Sequence, residues 1–138
     1  MIAFGKTGEI RAAYPVSPSP TPIRVSWEGG PVIYAMCAID ALGMSAMLGR
    51  PVTITATEPG TGRVITVHAD RGQARWDPRG AVVFAGATSG DCGHAADRTC
   101  SYINFFTSAR AARTWARANP AVAGTVLGRA QALRRGVE

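Results

Sequence analysis

A cysteine and an aspartate, Cys37 and Asp40, stand three residues apart in a stretch rich in alanine, leucine and methionine. Residues at this spacing share one face of an α-helix. Composition predicts a helix over Ala38–Leu48 that is ended by Gly49 and Pro51. Cys37 would then lie at the helix start, where the helix dipole stabilises a thiolate. The pair therefore predicts a nucleophilic thiol with a proton carrier one turn away.

A second cysteine, Cys100, precedes a segment of branched and aromatic residues that predicts a strand. Other motifs accompany the two cysteines: Cys-Ala-Ile-Asp at 37–40, Leu-Gly-Arg at 48–50 and Asn-Phe-Phe-Thr-Ser at 104–108. With these motifs in this order, the chain resembles the catalytic domain of organomercurial (alkylmercury) lyases. The resemblance runs from about residue 4 to about residue 128.

The resemblance implies a way of cleaving a carbon–mercury bond. Thiolates suit a soft metal such as Hg(II), and a carboxyl group can carry a proton to the leaving carbon. On the family pattern, Cys100 takes the organomercurial first and Asp40 accepts the proton of Cys37. Cys37 then binds mercury and Asp40 protonates the carbon, which leaves a hydrocarbon and Hg(II) held by the two cysteines. No cofactor is implied; cellular thiols as co-substrates, or a mercuric reductase, would remove the metal.

The resemblance also implies what surrounds the site. Family members commonly carry a helical, winged-helix-like domain ahead of the catalytic part, whereas only 36 residues precede Cys37 here. We therefore expect a catalytic domain that lacks the winged-helix-like domain. A homodimer or a partner protein would then cover the site in its place. Met36 stands where the family often has tryptophan, and residues 101–104 differ from the Cys-His-x-His that the family can show.

The third cysteine, Cys92, lies between Asp91 and His94 in a loop-like segment. These side chains could relay a metal, and Cys92 and Asp40 are further candidate mercury ligands. A solvated loop explains the same residues, because loops collect polar side chains. Three cysteines without a secretory signal do not predict a disulfide framework.

Two other functions stay open. One is a binding protein or carrier for a soft metal, mercury or copper, on the same fold without lyase activity. The other is a lyase-like enzyme recruited to a different carbon–heteroatom bond in biosynthesis. A carrier needs only thiolates, whereas cleavage also needs a proton donor. A buried carboxylate costs free energy unless it is paired, so it tends to have a structural or functional role. Asp40 therefore favours the enzyme.

Length and composition favour a single domain over residues 1–138. The net charge of +6 comes from arginines scattered along the chain without a nucleic-acid motif, so no nucleic-acid role is expected. The longest apolar stretch, residues 35–48, contains Asp40 and is too short to span a bilayer. The N-terminus has no signal-peptide pattern. We expect a cytoplasmic protein without a membrane segment.

The pattern of the chain predicts an α+β fold: an antiparallel sheet, with the reactive helix after its second or third strand. The proline-rich run 14–22 predicts an extended connector within the domain. Residues 52–57 and 64–67 predict a hairpin, because β-branched runs flank a Pro-Gly-Thr-Gly turn. Two C-terminal helices are expected, over residues 109–118 and 122–135.

Overall fold

The structure, a computed structural model, describes residues 2–4, 10–13, 16–17, 20–88 and 103–137. These ranges contain eleven β-strands and three α-helices. The strands, in chain order, are β1 (Ile2–Phe4), β2 (Ile10–Ala13), β3 (Val16–Ser17), β4 (Ile23–Ser26), β5 (Ile33–Ala35), β6 (Val52–Thr57), β7 (Val64–Asp70), β8 (Gln73–Asp77), β9 (Val82–Thr88), β10 (Ile103–Phe106) and β11 (Val122–Leu127). The helices are α1 (Ala38–Leu48), α2 (Ala109–Ala118) and α3 (Arg129–Val137).

Eight strands form a large antiparallel sheet in the order β1-β2-β3-β5-β4-β6-β7-β8. Its most regular part is the β6–β7 hairpin, in which residues 52–57 lie opposite residues 64–69. Alternate side chains are buried on both strands, as the β-branched pattern predicts. The inner face of the sheet is therefore apolar, whereas threonine, histidine and aspartate occupy the outer face of this hairpin.

Three strands form a second, small antiparallel sheet in the order β10-β9-β11. One face turns toward the main core, where Phe105 meets Trp76 of β8 edge-to-face with ring centroids 5.6 Å apart. The other face packs against α2, where the ring centroids of Phe84, Phe106 and Trp115 lie 5.8 to 6.3 Å from one another. The small sheet is thus a layer between two apolar clusters.

Helix α1 lies within the main core, in contact with the large sheet, β10 and α3. Residues on nearly every side of the helix are buried between positions 38 and 45. Gly49, in the left-handed conformation at φ 67°, ends the helix and donates its N–H to the Ser45 carbonyl. The buried Ser45 hydroxyl donates to the Arg50 carbonyl and accepts the Arg71 N–H at 2.8 Å. The helix end is thereby tied to the β7–β8 turn.

The predicted α+β class, the β6–β7 hairpin and the bounds of α1 are confirmed. Two details of the predicted architecture are wrong: there are two antiparallel sheets, and α1 follows the fifth strand instead of the second or third. The proline-rich run 14–22 also contains strand β3, in which Val16 pairs with Ala13 and Ala35. Two prolines flank β3 in the sequence, but Val16 and Ser17 themselves keep the amide groups that pairing needs.

The predicted second C-terminal helix is wrong in its first half. Residues 122–127 form strand β11, which pairs along its whole length with β9, and only then does α3 begin at Arg129. Val122 and Val126 favour a strand once a partner strand is present, which a local pattern does not reveal. None of the three described helices has the length and apolar character needed to cross a membrane.

Helices α1 and α3 approach closely at two glycines. A Cβ atom on Gly43 would lie 2.1 Å from the Gly136 carbonyl oxygen, and one on Gly136 would lie 2.7 Å from the Ile39 carbonyl oxygen. The opposing atoms are backbone, so they cannot rotate away as a side chain would. Helix α3 is therefore seated directly on the part of α1 that carries Asp40.

We expect Gly43→Ala to lower the free energy of unfolding by about 2 kcal/mol. The overpacking outweighs the roughly 1 kcal/mol by which alanine favours a helix over glycine. Denaturant unfolding followed by circular dichroism measures the change. Gly80→Ala is the control, because its Cβ would meet only the Thr107 carbonyl oxygen at an ordinary 3.7 Å. Equal stability of the two variants would contradict the close helix contact.

Candidate active site

Cys37 is the residue at which the chain turns from strand β5 into helix α1. Its backbone is extended, with φ −157° and ψ 175°, and its carbonyl accepts the Ala41 N–H at 3.0 Å. Cys37 is therefore the N-cap of the helix, although its side chain makes no capping hydrogen bond. The residue is only 2% exposed. A sulfur atom thus occupies the place where serine, threonine or aspartate is usually found.

Asp40 lies in the first turn of α1 and is 7% exposed. The Cys37 thiol donates a hydrogen bond to Asp40 Oδ2, with Sγ and Oδ2 3.3 Å apart. The predicted helix start and the predicted shared face of the two side chains are confirmed. Their chemical roles stay predictions.

The hydrogen bond between Cys37 and Asp40 offers a direct path for a proton between the two side chains. When the Cys37 thiol ionises, its proton can pass directly to the Asp40 carboxylate, which already accepts its hydrogen bond. The N-terminal end of the helix stabilises a thiolate at Cys37. Burial keeps bulk water from competing for that proton. The pair can therefore present a thiolate to a soft electrophile and hold one proton beside it.

Strand β10 contributes a further buried polar side chain, Asn104, which is 9% exposed. Helix α1 packs against this strand. Cys100 and Cys92 lie outside the described residues, so the predicted meeting of Cys37 with Cys100 stays a prediction. Among the described residues, no three His, Cys, Asp or Glu side chains cluster as a metal site would.

Glu58 is a buried carboxylate that no sequence motif identifies as functional or structural. It begins the turn between β6 and β7 and receives hydrogen bonds from the Thr61 hydroxyl and from both the N–H and the hydroxyl of Thr107. Burial alone raises the pKa of Glu58, but these hydrogen bonds and the charge of Arg63 outweigh it and lower that pKa. Glu58 thus joins the large sheet to the end of β10 and belongs to the framework.

The pKa of Glu58 makes stability depend on pH in the acid range. Because the folded-state pKa is lowered, the contribution is present above the ordinary pKa of about 4.5 and is lost as the pH falls through the folded value. We expect Glu58→Gln to cost about 2 kcal/mol at neutral pH and to flatten the loss of stability below that point. Denaturant unfolding at several pH values measures both effects, with exposed Glu28→Gln as the control. An unchanged acid profile in Glu58→Gln would contradict this role.

Replacing the sulfur at the N-cap tests whether Cys37 has a structural or a chemical role. A serine hydroxyl can cap the helix, so Cys37→Ser should unfold at the same or a higher temperature than the parent protein. Cys37→Ala, which can make no cap, should be less stable than Cys37→Ser by about 1 kcal/mol. Thermal unfolding compares the three proteins. A Cys37→Ser protein less stable than Cys37→Ala would show that the thiol itself supports the fold.

Comparison with known proteins gives a consistent result. The alkylmercury lyase (MerB) family profile matches residues 16–138. An alkylmercury lyase of Staphylococcus epidermidis is 35% identical over 103 residues, which are 73% of this chain and 46% of that protein. One from Bacillus cereus is 31% identical over 102 residues, with the same coverage. A crystal structure of the mercury-bound form of MerB2 superposes with a TM-score of 0.78 at 29% identity, over 99% of this chain and 66% of that one.

The chain spans about half the length of the curated relatives that it matches. Within that span, the matched region contains Cys37, Asp40 and all three described helices. The mixed α and β architecture also agrees with that of the MerB2 structure. The chain therefore belongs to the alkylmercury lyase family.

Proposed function

We propose that this protein cleaves the carbon–mercury bond of organomercurials by protonolysis, with Cys37, Asp40 and Cys100 as the reacting groups. The observation that carries the proposal is the buried Cys37–Asp40 hydrogen bond of 3.3 Å at the start of α1. Family membership supplies the substrate class, because the matched relatives are named alkylmercury lyases. The hydrogen-bonded pair supplies a nucleophile and a proton in one place.

The first step is capture of the substrate. A thiolate of Cys100 displaces the counter-ligand of an organomercurial and forms a sulfur–mercury bond, because thiolates bind soft metals well. Strand β10 begins three residues after Cys100 and packs against α1. On the family pattern, Cys100 and Cys37 bind the same mercury atom.

The second step breaks the bond. Asp40 takes the thiol proton of Cys37, and the resulting thiolate forms a second sulfur–mercury bond. The protonated Asp40 then gives that proton to the carbon, and the electron pair of the carbon–mercury bond becomes the new carbon–hydrogen bond. The products are a hydrocarbon and Hg(II) bridging Cys37 and Cys100. Two cellular thiols, or a mercuric reductase, then remove the metal by ligand exchange.

The alternative of a soft-metal carrier explains the thiols but gives Asp40 no task. A carrier needs only thiolates to hold the metal, whereas cleavage also needs a proton donor. A lyase needs a group that first accepts and then donates one proton, and Asp40 already accepts the hydrogen bond of the thiol that would provide it. The geometry therefore favours cleavage over storage.

We expect Asp40→Asn to keep mercury binding and to lose cleavage by a factor of about 10²–10⁴, the usual contribution of a positioned proton donor. The measurement is headspace detection of benzene from phenylmercury acetate with excess thiol. Hg(II) titration of the same protein measures binding. Asp70→Asn, an exposed carboxylate in a surface ion pair with Arg71, is the matched control and should cleave like the parent protein.

Cys37→Ser completes the set and should release no benzene over many turnovers. Cleavage by Asp40→Asn at the parent rate would contradict the role of Asp40. Stoichiometric binding of Hg(II) by the parent protein without benzene would contradict the lyase and favour the carrier.

A further inference from the structure

The positive charge of this chain is concentrated in its C-terminal quarter. Residues 103–138 contain six arginines and a single acidic residue, Glu138. The other 102 residues carry nine basic and eight acidic side chains and are almost neutral. The net charge of +6 is therefore largely a property of α2, β11, α3 and the short segments that join them.

Helix α2 displays three of these arginines on one side. Arg110, Arg113 and Arg117 are spaced by three and four residues and are all exposed. None of them forms a salt bridge with another described residue. Like charges at these spacings oppose helix formation, and the helix contains no acidic residue to offset them. The three arginines thus repel one another in the isolated helix, and an acidic partner would offset that repulsion.

A groove of about 660 Å³ runs between this helix and strand β11. Arg113 and Arg117 line it beside the half-buried apolar side chains of Ala116 and Val126 and the ring of Phe84. Two arginines thus stand next to an apolar strip in one concave surface.

Strand β11 packs closely against strand β9 at Gly124, which lies opposite Gly86. A Cβ atom at that position would lie 2.4 Å from the Ala85 carbonyl oxygen and 2.8 Å from the Phe84 ring. A side chain there would displace the ring that forms part of the groove. The shape of the groove therefore depends on a residue without a side chain.

We propose that this groove, formed by α2 and β11, docks an acidic segment of a partner protein that also carries apolar side chains. Carboxylates of the segment pair with Arg113 and Arg117, and an apolar side chain lies on Ala116 and Val126. Charge complementarity selects the partner and speeds its encounter, while the apolar contact retains it. A single-stranded nucleic acid fits less well, because it needs an exposed ring for stacking and the only ring among the described residues of the groove, Phe84, is 4% exposed.

The test uses fluorescence anisotropy of a labelled peptide composed of glutamate and leucine. The double variant Arg113→Glu/Arg117→Glu should bind it about tenfold more weakly or worse. The matched control is Arg24→Glu/Arg75→Glu, which makes the same change in net charge at two exposed positions of the large sheet. The control should lose less than about twofold, and binding by the parent protein should weaken with added salt.

Two further probes separate the apolar contact from charge alone. A peptide with serine in place of leucine should bind about fivefold more weakly than the glutamate–leucine peptide. A single-stranded DNA of equal charge should bind more weakly than that peptide. The proposal is overturned by no binding of the glutamate–leucine peptide at low salt, by equal losses in the two double variants, by equal affinity of the serine peptide, or by tighter binding of the DNA.

Discussion

The burial of helix α1 on almost every side is the constraint on which the rest of the structure depends. The helix touches the large sheet, β10 and α3, so only small residues fit where these contacts are closest. Gly43, for example, lies directly against the backbone of Gly136. Helix α3 can be seated there only because neither position carries a side chain. A polar group on the first two turns of α1 is thereby removed from water and must find its partner within the protein.

Two buried carboxylates, Glu58 and Asp40, accept hydrogen bonds from different kinds of donor. Glu58 is surrounded by hydrogen-bond donors from Thr61 and Thr107, which stabilise its charged form and fix the end of β10. Asp40 faces a thiol, whose hydrogen bond is weak and whose proton can be given up. Glu58 therefore accepts hydrogen bonds that hold its charge in place, whereas the bond of Asp40 comes from a group that can itself ionise. This contrast separates a framework residue from a candidate reactive one, although both are carboxylates inside the same core.

The parts of the fold that the sequence predicts are those with local signals. The bounds of α1 follow from Gly49 at its end, and the β6–β7 hairpin follows from β-branched runs around a glycine-rich turn. For residues 122–127 the local pattern predicts helix where the structure has strand β11, because pairing with β9 decides the conformation of this valine, alanine and glycine segment. No local pattern reveals the role of Glu58 in joining the large sheet to β10, because its partner Thr107 lies 49 residues away. Local patterns likewise cannot predict contact between Cys37 and Cys100, because the two residues are far apart in the sequence.

The start of α1 carries residue types that are unusual for an N-cap and for an apolar interior. Cysteine replaces a capping side chain there, whereas Ser108 caps α2 in the ordinary way by accepting the Ala111 N–H. One turn later, Asp40 is placed in the apolar interior. Serine can cap a helix in this fold, as Ser108 shows, so the fold does not require cysteine at this N-cap. Both departures fall on the two residues that share a hydrogen bond, which is the pattern expected where chemistry and not folding has determined the residue.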